Sequence, residues 1–358
     1  MKPAMTSKER VMTTFSHQEP DRVPLGYAAN EGIDRRLHQA LGLKEGEWVG
    51  AALGMDYRGI WPPYKGKRLH SPVEGRRVDE LWGSRTRWIE HPTGGYWDFC
   101  DFPLRDADEN TIAKWPLPNP NDFDYSVVAE QCQQNASFAI HTGHAGWGDI
   151  INSNGLLRSM EQVLVDLATD DPAGLLLIDR RTDIMVEVTR RTLEAAKGKI
   201  DFLWLGEDLG TQNSPIMSLE MFRKHIRPRH QRLVDVAKSF GIPTIIHTCG
   251  SSSWAYEDFI EMGINGVDTL QPEAKDMSPE YLKKRFGGRL FFHGCISTAG
   301  PVAYGTPAEV TEYCRRTLEI MMPGGGYCFA PTHALQDNSP TENVLAMYEA
   351  ARKYGVYR

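Results

Sequence analysis

Phe202-Leu-Trp-Leu-Gly-Glu-Asp208, Pro243-Thr-Ile-Ile-His-Thr-Cys-Gly250 and Leu290-Phe-Phe-His-Gly-Cys295 follow one plan. Each is a short apolar run that ends in histidine, cysteine or carboxylate, with glycine close by. A run this short, bounded by turn residues, reads as a strand buried on both faces. Working outward, residues 266–270 and 327–330 have the same character, as does 138–141 earlier on, and 23–27 is a candidate first strand. Between them lie helices with start signals. Ser278-Pro279, Thr306-Pro307 and Ser339-Pro340 each place a hydroxyl before proline, and Glu309 and Glu342 follow three residues after their caps. Gly287 and Gly324 stand where helices should stop. Repeated strand, loop and helix units predict an α/β protein with a parallel sheet. Pattern alone does not separate a barrel from an open, doubly wound sheet.

Residues 61–124 break the pattern. They are rich in Pro, Gly, Trp and Arg and show little periodicity, so they read as an irregular insertion over the mouth of the sheet, with a small hairpin within 85–99. A structural flap is the plainer alternative.

The chain has 358 residues, of which 41% are hydrophobic and 24% charged, with a net charge of −7. These are globular proportions, and a β/α barrel of this length commonly forms one domain, here 1–358. The acidic balance and the lack of a long basic run argue against nucleic-acid binding. No apolar stretch approaches the ~20 residues of a membrane span, and the first ten residues lack the core of a signal peptide. A cytoplasmic location follows as the expectation, and there the six cysteines should be thiols.

In parallel β/α proteins ligands bind beyond the carboxyl ends of the strands. The residues found there are His141 and His144, Glu207 and Asp208, His247 and Cys249, Glu273, His293 and Cys295, and Cys328. His247 and Cys249 are two apart, so their side chains share a face. Imidazole and thiolate suit zinc, which keeps three protein ligands where one position stays open. Cys328 is the best-placed third ligand and Cys295 the runner-up. A buried cysteine is more often just a small hydrophobe. Adjacent strand residues face opposite ways, so one of Glu207 and Asp208 should enter the site, and Glu207 is the candidate proton donor or substrate anchor. Capping a helix or pairing with an arginine is its structural alternative. His141, Asp208 and His333 are candidate substrate contacts, although strand-end histidines often serve structure alone.

Several segments resemble the uroporphyrinogen decarboxylase superfamily: Glu19-Pro-Asp-Arg-Val-Pro24, Gly206-Glu-Asp-Leu-Gly-Thr-Gln212, Ser218-Leu-Glu-Met-Phe-Arg-Lys-His-Ile-Arg-Pro228, His247-Thr-Cys-Gly250, Gly305-Thr-Pro-Ala-Glu-Val310 and Gly324-Gly-Gly-Tyr-Cys-Phe-Ala-Pro-Thr-His333 with Pro340-Thr-Glu-Asn-Val344. The resemblance implies a (β/α)8 TIM-type barrel. True decarboxylases of this superfamily carry Arg-Gln-Ala-Gly-Arg after the first strand to grip carboxylates. Here that region reads Gly26-Tyr-Ala-Ala-Asn-Glu-Gly-Ile-Asp-Arg35. The other branch, the corrinoid-linked methyltransferases, is similar in holding catalytic zinc with a His-x-Cys pair and a later cysteine, which fall close to His247, Cys249 and Cys328. In the thiol-methylating members that last cysteine directly follows Pro-Gly, whereas Cys328 stands deeper in its strand.

The resemblance therefore implies a zinc-dependent methyltransferase acting on a small methylated substrate, with corrinoid supplied by a partner protein; a homodimer is compatible with it. The first alternative is a cofactor-free decarboxylase of a smaller acid, using Asp208, Arg35 and His333. The second is a non-catalytic binding homologue.

Overall fold

The computed structural model describes residues 4–91 and 94–358. Its strands are β1 (Tyr57–Gly59), β2 (Arg77–Val78), β3 (Arg85–His91), β4 (Gly94–Phe99), β5 (Ala139–Gly143), β6 (Phe202–Gly206), β7 (Thr244–Thr248), β8 (Gly266–Thr269), β9 (Phe291–Ile296) and β10 (Tyr327–Pro331). Seven of them form a sheet in the order β1-β5-β6-β7-β8-β9-β10, and every pairing is parallel. The apolar runs at 202–205, 243–247, 266–270, 290–293, 327–330 and 138–141 are thus strands, buried on both sides as parallel strands must be.

The sheet curls on itself. Tyr57 of β1, at one end of the strand order, has its hydroxyl 2.7 Å from His293 Nε2 of β9. Tyr57, Phe202, Trp204, Ile245, Phe291, His293 and Cys328 meet around a void of about 10 Å³ in the middle. Residues 23–27 form no strand of their own, which corrects the expectation for that segment. They lie between the sheet's two ends: Gly26 N–H donates to Phe329 O at 2.8 Å, Phe329 N–H to Pro24 O at 2.9 Å, and Asp56 N–H to Leu25 O at 3.0 Å. Pro24 has no N–H to extend the ladder, and the Leu25 N–H goes to the Asp56 carboxylate. That carboxylate, fully buried, also receives Arg10 and Arg22. β1 escaped the sequence reading because three residues, one of them Arg58, carry no periodic signal.

The helices cover the outside. Ser278 and Thr306 cap as expected, and Thr306 with Glu309 forms a full capping box. The third expected cap does not form: the last helix, Thr341–Tyr354, starts after Pro340, and Ser339 Oγ is buried without a hydrogen-bond partner among the described residues. Helix Arg227–Ser239 is preceded by a π-turn, Phe222–Ile226. Pro228 explains it, because proline lacks the N–H and its ring crowds the carbonyl four residues back, so the preceding turn widens. Among the described residues no helix is long and apolar enough to cross a membrane.

The insertion contains the expected hairpin, β3–β4, with β2 added to its edge. It packs sideways. Leu104 and Ile112 join Leu157, Ala173 and Leu177 in a small apolar cluster. Arg158 donates to Leu104 O and Ala107 O, and Arg180 to the carbonyls of Ile112 and Trp115. The segment therefore lies on helices Ile151–Arg158 and Pro172–Ala196, and none of residues 61–124 lines the cavity described next. The expected cover over the mouth is corrected accordingly.

Candidate active site

A cavity of about 330 Å³ opens at the carboxyl ends of the strands. Its floor is a cup of four rings. Tyr57 lies 5.8 Å from His141, 5.6 Å from Trp204 and 5.6 Å from His293, while Trp204 is 5.1 Å from both imidazoles. His144 and His333 stand at the rim, exposed. His141, His144, His247, His293 and His333 all line this space, as the strand-end rule predicted.

The polar centre follows from register. His247 of β7, Asp268 of β8 and His293 of β9 are direct partners on neighbouring parallel strands, so their side chains point the same way. The result is a chain of hydrogen bonds: His247 Nδ1 to Asp268 Oδ2 at 2.6 Å, Asp268 Oδ1 to His293 Nδ1 at 2.5 Å, and Tyr57 OH to His293 Nε2 at 2.7 Å. An ionised carboxylate only accepts, so both Nδ1 atoms carry protons and a neutral His247 presents its Nε2 lone pair outward. Thr269, directly after Asp268, sits at φ +80°, an unusual conformation for a β-branched residue, and its hydroxyl is tied to Thr248 O at 2.7 Å. Gly294 permits the close approach: a Cβ there would lie 2.1 Å from Thr269 O.

Beside the cavity, ligand atoms of Asp208, His247 and Cys249 all lie within 4.8 Å of one another. His247 Nε2 is 3.4 Å from Cys249 Sγ and 3.9 Å from Asp208 Oδ1. A tetrahedral zinc with bonds of about 2.3 Å to sulfur and about 2.0 Å to nitrogen would hold those two atoms about 3.5 Å apart, so the pair fits the ion. Asp208 is aimed by the Cys249 N–H at 2.8 Å and Asn152 Nδ2 at 2.9 Å. Gly250, at φ +70°, makes the turn after the pair; a Cβ there would meet Gly210 O at 2.3 Å. Burial opposes protonation of His247, yet Asp268 and Cys249 hold its pKa well above the usual value. Burial pushes the Cys249 thiol up. Among the described residues no lysine or arginine forms an ion pair with Asp208 or Asp268; the imidazoles of His247 and His293 are their partners.

Two expected site residues fall elsewhere. Cys328 is the register partner of His293 and so continues the same row, but it stands three strands from His247. At about 4.8 Å per strand that is roughly 14 Å along the wall. It is buried in the central core, where loss of hydration drives its pKa well above the usual range, and it does not join the Asp208–His247–Cys249 group. Cys295 is also apart: it sits at φ +67° after Gly294, fully buried, with Tyr313 of an outer helix bonded to its carbonyl.

Glu207 points away from the cavity. Its carboxylate accepts the N–H groups of Ile150 at 2.8 Å and Ile151 at 3.0 Å, at the start of helix Ile151–Arg158, and lies 2.9 Å from His230 Nε2. Burial raises its pKa to about 8 against the pull of those two N–H groups. The proposed catalytic group is therefore a buried helix cap, and alternation along the chain gives Asp208 the inward position. The residues that sequence reasoning missed are Asp268, Tyr57, Asn152 and Trp204. Of these only Asp268 left a trace, as a lone carboxylate inside an apolar strand run.

His141 is buried, and desolvation lowers its pKa from 6.5 to about 3, against a weak pull from Gly143 O at 3.1 Å. Between those values the unfolded chain binds a proton that the folded one refuses, so stability falls as pH drops from 6.5 through about 3. His141→Phe is expected to reduce that slope by about 1.4 kcal/mol per pH unit. Urea unfolding across the window checks it, and an unchanged slope would show that His141 is protonated in the folded protein.

Residues 154–354, more than half of the chain, match the family described as Uroporphyrinogen decarboxylase (URO-D). A methylcobamide:CoM methyltransferase, MtbA, of Methanosarcina acetivorans is 22% identical over 147 residues, a stretch covering 40% of this chain and 40% of that protein. The chain thus matches less than half the length of this curated relative. A solved structure titled methyltransferase from Methanosarcina mazei superposes with a TM-score of 0.63 at 18% identity, covering 98% of this chain and 99% of the other, and so shares its fold. With the strand-end site in place and the family pattern spanning it, the chain belongs to the uroporphyrinogen decarboxylase family.

Proposed function

We propose that this protein is a zinc-dependent methyltransferase that moves a methyl group between a small methylated substrate and a corrinoid carried by a separate protein. The observation that carries this reading is the convergence of Asp208, His247 and Cys249 at the edge of a largely apolar cavity. The named activities of the relatives point the same way. His247 Nε2, Cys249 Sγ and an Asp208 oxygen would hold the ion, with Asp208 in the place the sequence reserved for a second cysteine. Bound there, zinc supplies Lewis acidity toward a substrate heteroatom or, in the reverse direction, favours a thiolate. Asp268 keeps the His247 proton on Nδ1, and Asn152 keeps the Asp208 carboxylate turned toward the pair. The aromatic floor excludes water, and His333, its ring 6.4 Å from that of His247, closes the rim. The same reading takes residues 23–27 as the eighth position of a (β/α)8 barrel, supported by their bonds to both ends of the sheet. The decarboxylase alternative wants a cationic grip, and Arg35 is exposed on helix Glu31–Ala40, outside the cavity.

Protein stripped of metal by a chelator is expected to lose methyl transfer to free cob(I)alamin and regain it when zinc is added. Transfer that survives stripping sinks the reading. Asp268→Asn, which turns one accepting oxygen into a donor, should weaken zinc binding by about 10- to 100-fold in a competition titration. Unchanged affinity would mean that Asp268 serves the fold alone.

A further inference from the structure

The hairpin of the insertion leaves large aromatic side chains uncovered. Trp88, Tyr96, Trp97 and Phe99 are between 43% and 51% exposed. Among the described residues, none of β3 or β4 joins an apolar cluster of the core. Register sorts the rings by face. Thr86 pairs with Phe99 and Trp88 with Trp97, so these side chains share one side, where the two indoles meet edge to face at 5.5 Å. Tyr96 stands on the other. β4 is also an edge, because the small sheet runs β2-β3-β4 and stops there. Cys100 N–H donates to Arg85 O at 3.0 Å, so alternation turns the N–H and C=O groups of Phe99, Trp97 and Gly95 away from β3. Natural edges of this kind are ordinarily blunted by lysine, proline or a bulge. Gly94-Gly-Tyr-Trp-Asp-Phe99 contains neither residue, and its pairing with β3 runs without a bulge from Gly94 to Phe99.

We infer that β4 is a dimer seam, pairing antiparallel with β4 of a second copy about a two-fold axis at Trp97. Two-fold pairing closes this edge on both copies at once, so growth stops at two. Charge and length fix the register. Centring the axis on Asp98 would set two carboxylates opposite each other, which is unfavourable. Centring it on Tyr96 would run Phe99 past the end of the partner strand. Centring it on Trp97 sets Asp98 opposite Tyr96 of the second copy, and Phe99 opposite Gly95 of the second copy. The Trp88 indole already overlies that glycine, since a Cβ there would lie 2.2 Å from it, so Phe99 arrives on an aromatic surface. Trp88, Trp97 and their two counterparts then form a row of four indoles across a six-stranded sheet. The area suits a modest dimer. At roughly 200 Å² per aromatic side chain, four half-exposed rings offer about 400 Å² on each copy. The smallest stable interfaces take about 600 Å² from each partner, and the strand edges supply the remainder. Dissociation in about the micromolar range follows.

Sedimentation of the purified full chain between about 1 and 100 µM tests this. The dimer is expected to dominate at the upper end. Trp97→Lys, at an exposed position, should weaken self-association at least about 30-fold while the far-ultraviolet dichroism of the fold is retained. A second variant reads the register. Trp97→Cys brings two thiols across the axis, with Cα atoms about 5.5 Å apart, and should cross-link under mild oxidation at about 100 µM. Glu90→Cys, also exposed but one strand further from the seam, should not. A chain that stays monomeric throughout would leave the aromatic strip to a partner of another kind and overturn the seam. A dimer that Trp97→Lys leaves intact overturns it too, as does a Trp97→Cys protein that cross-links no better than Glu90→Cys.

Discussion

Cys249→Ser is expected to strip the protein of stoichiometric zinc, whereas Cys328→Ser leaves its metal content unchanged. The two cysteines look equivalent in a list of thiols, yet geometry separates them. Cys249 Sγ sits 3.4 Å from His247 Nε2, at tetrahedral spacing, while Cys328 is sealed among Tyr57, Phe202 and Phe291. A serine hydroxyl is a harder donor that stays protonated at neutral pH, so the loss of affinity should exceed about 100-fold. Asp208→Asn should fall between the two, because the amide oxygen still donates but carries no charge. Elemental analysis of the three purified variants, with a chromophoric chelator for affinity, decides the matter. If Cys328→Ser loses the metal and Cys249→Ser retains it, the ligand set argued above is wrong.

Glu207→Ala is expected to destabilise the fold by about 3–5 kcal/mol. The substitution leaves three buried polar partners without their oxygen: the N–H groups of Ile150 and Ile151 and the His230 ring. Water does not replace them easily, since Glu207 is fully buried and His230 nearly so. Glu207→Gln keeps one accepting oxygen and should lose less than half as much. Urea unfolding at constant zinc loading measures both. A Glu207→Gln protein as stable as its parent but inactive would return Glu207 to the chemistry.

The pair Glu207-Asp208 shows where sequence reading stops. Alternation says that one of two neighbours enters the site, but which one depends on register against β7: Gly206 pairs with His247, so Asp208 lands beside Cys249 and Glu207 faces the helices. The strands, the His247–Cys249 pair and the rim histidines were legible because each follows from local spacing. Asp268 was overlooked because its importance lies in lateral partners on two other strands, His247 and His293, far away along the chain. Cys328 was misplaced for the converse reason. It lies on the right row, but distance around a curled sheet leaves no mark on the sequence. The insertion misled because its composition resembles that of a binding loop, while its packing is set by Leu104 and Ile112 against two outer helices.

The widened turn at Phe222–Ile226 acts as a rotational vernier for everything after it. One surplus residue in a helix swings the downstream part by about 100°. Only in that setting does His230 reach Glu207 while Arg229 and Arg232 meet Asp179 and Asp183 on the neighbouring helix. Excising a single residue from this turn would make the local backbone more regular, yet it would dial three contacts out of phase at once.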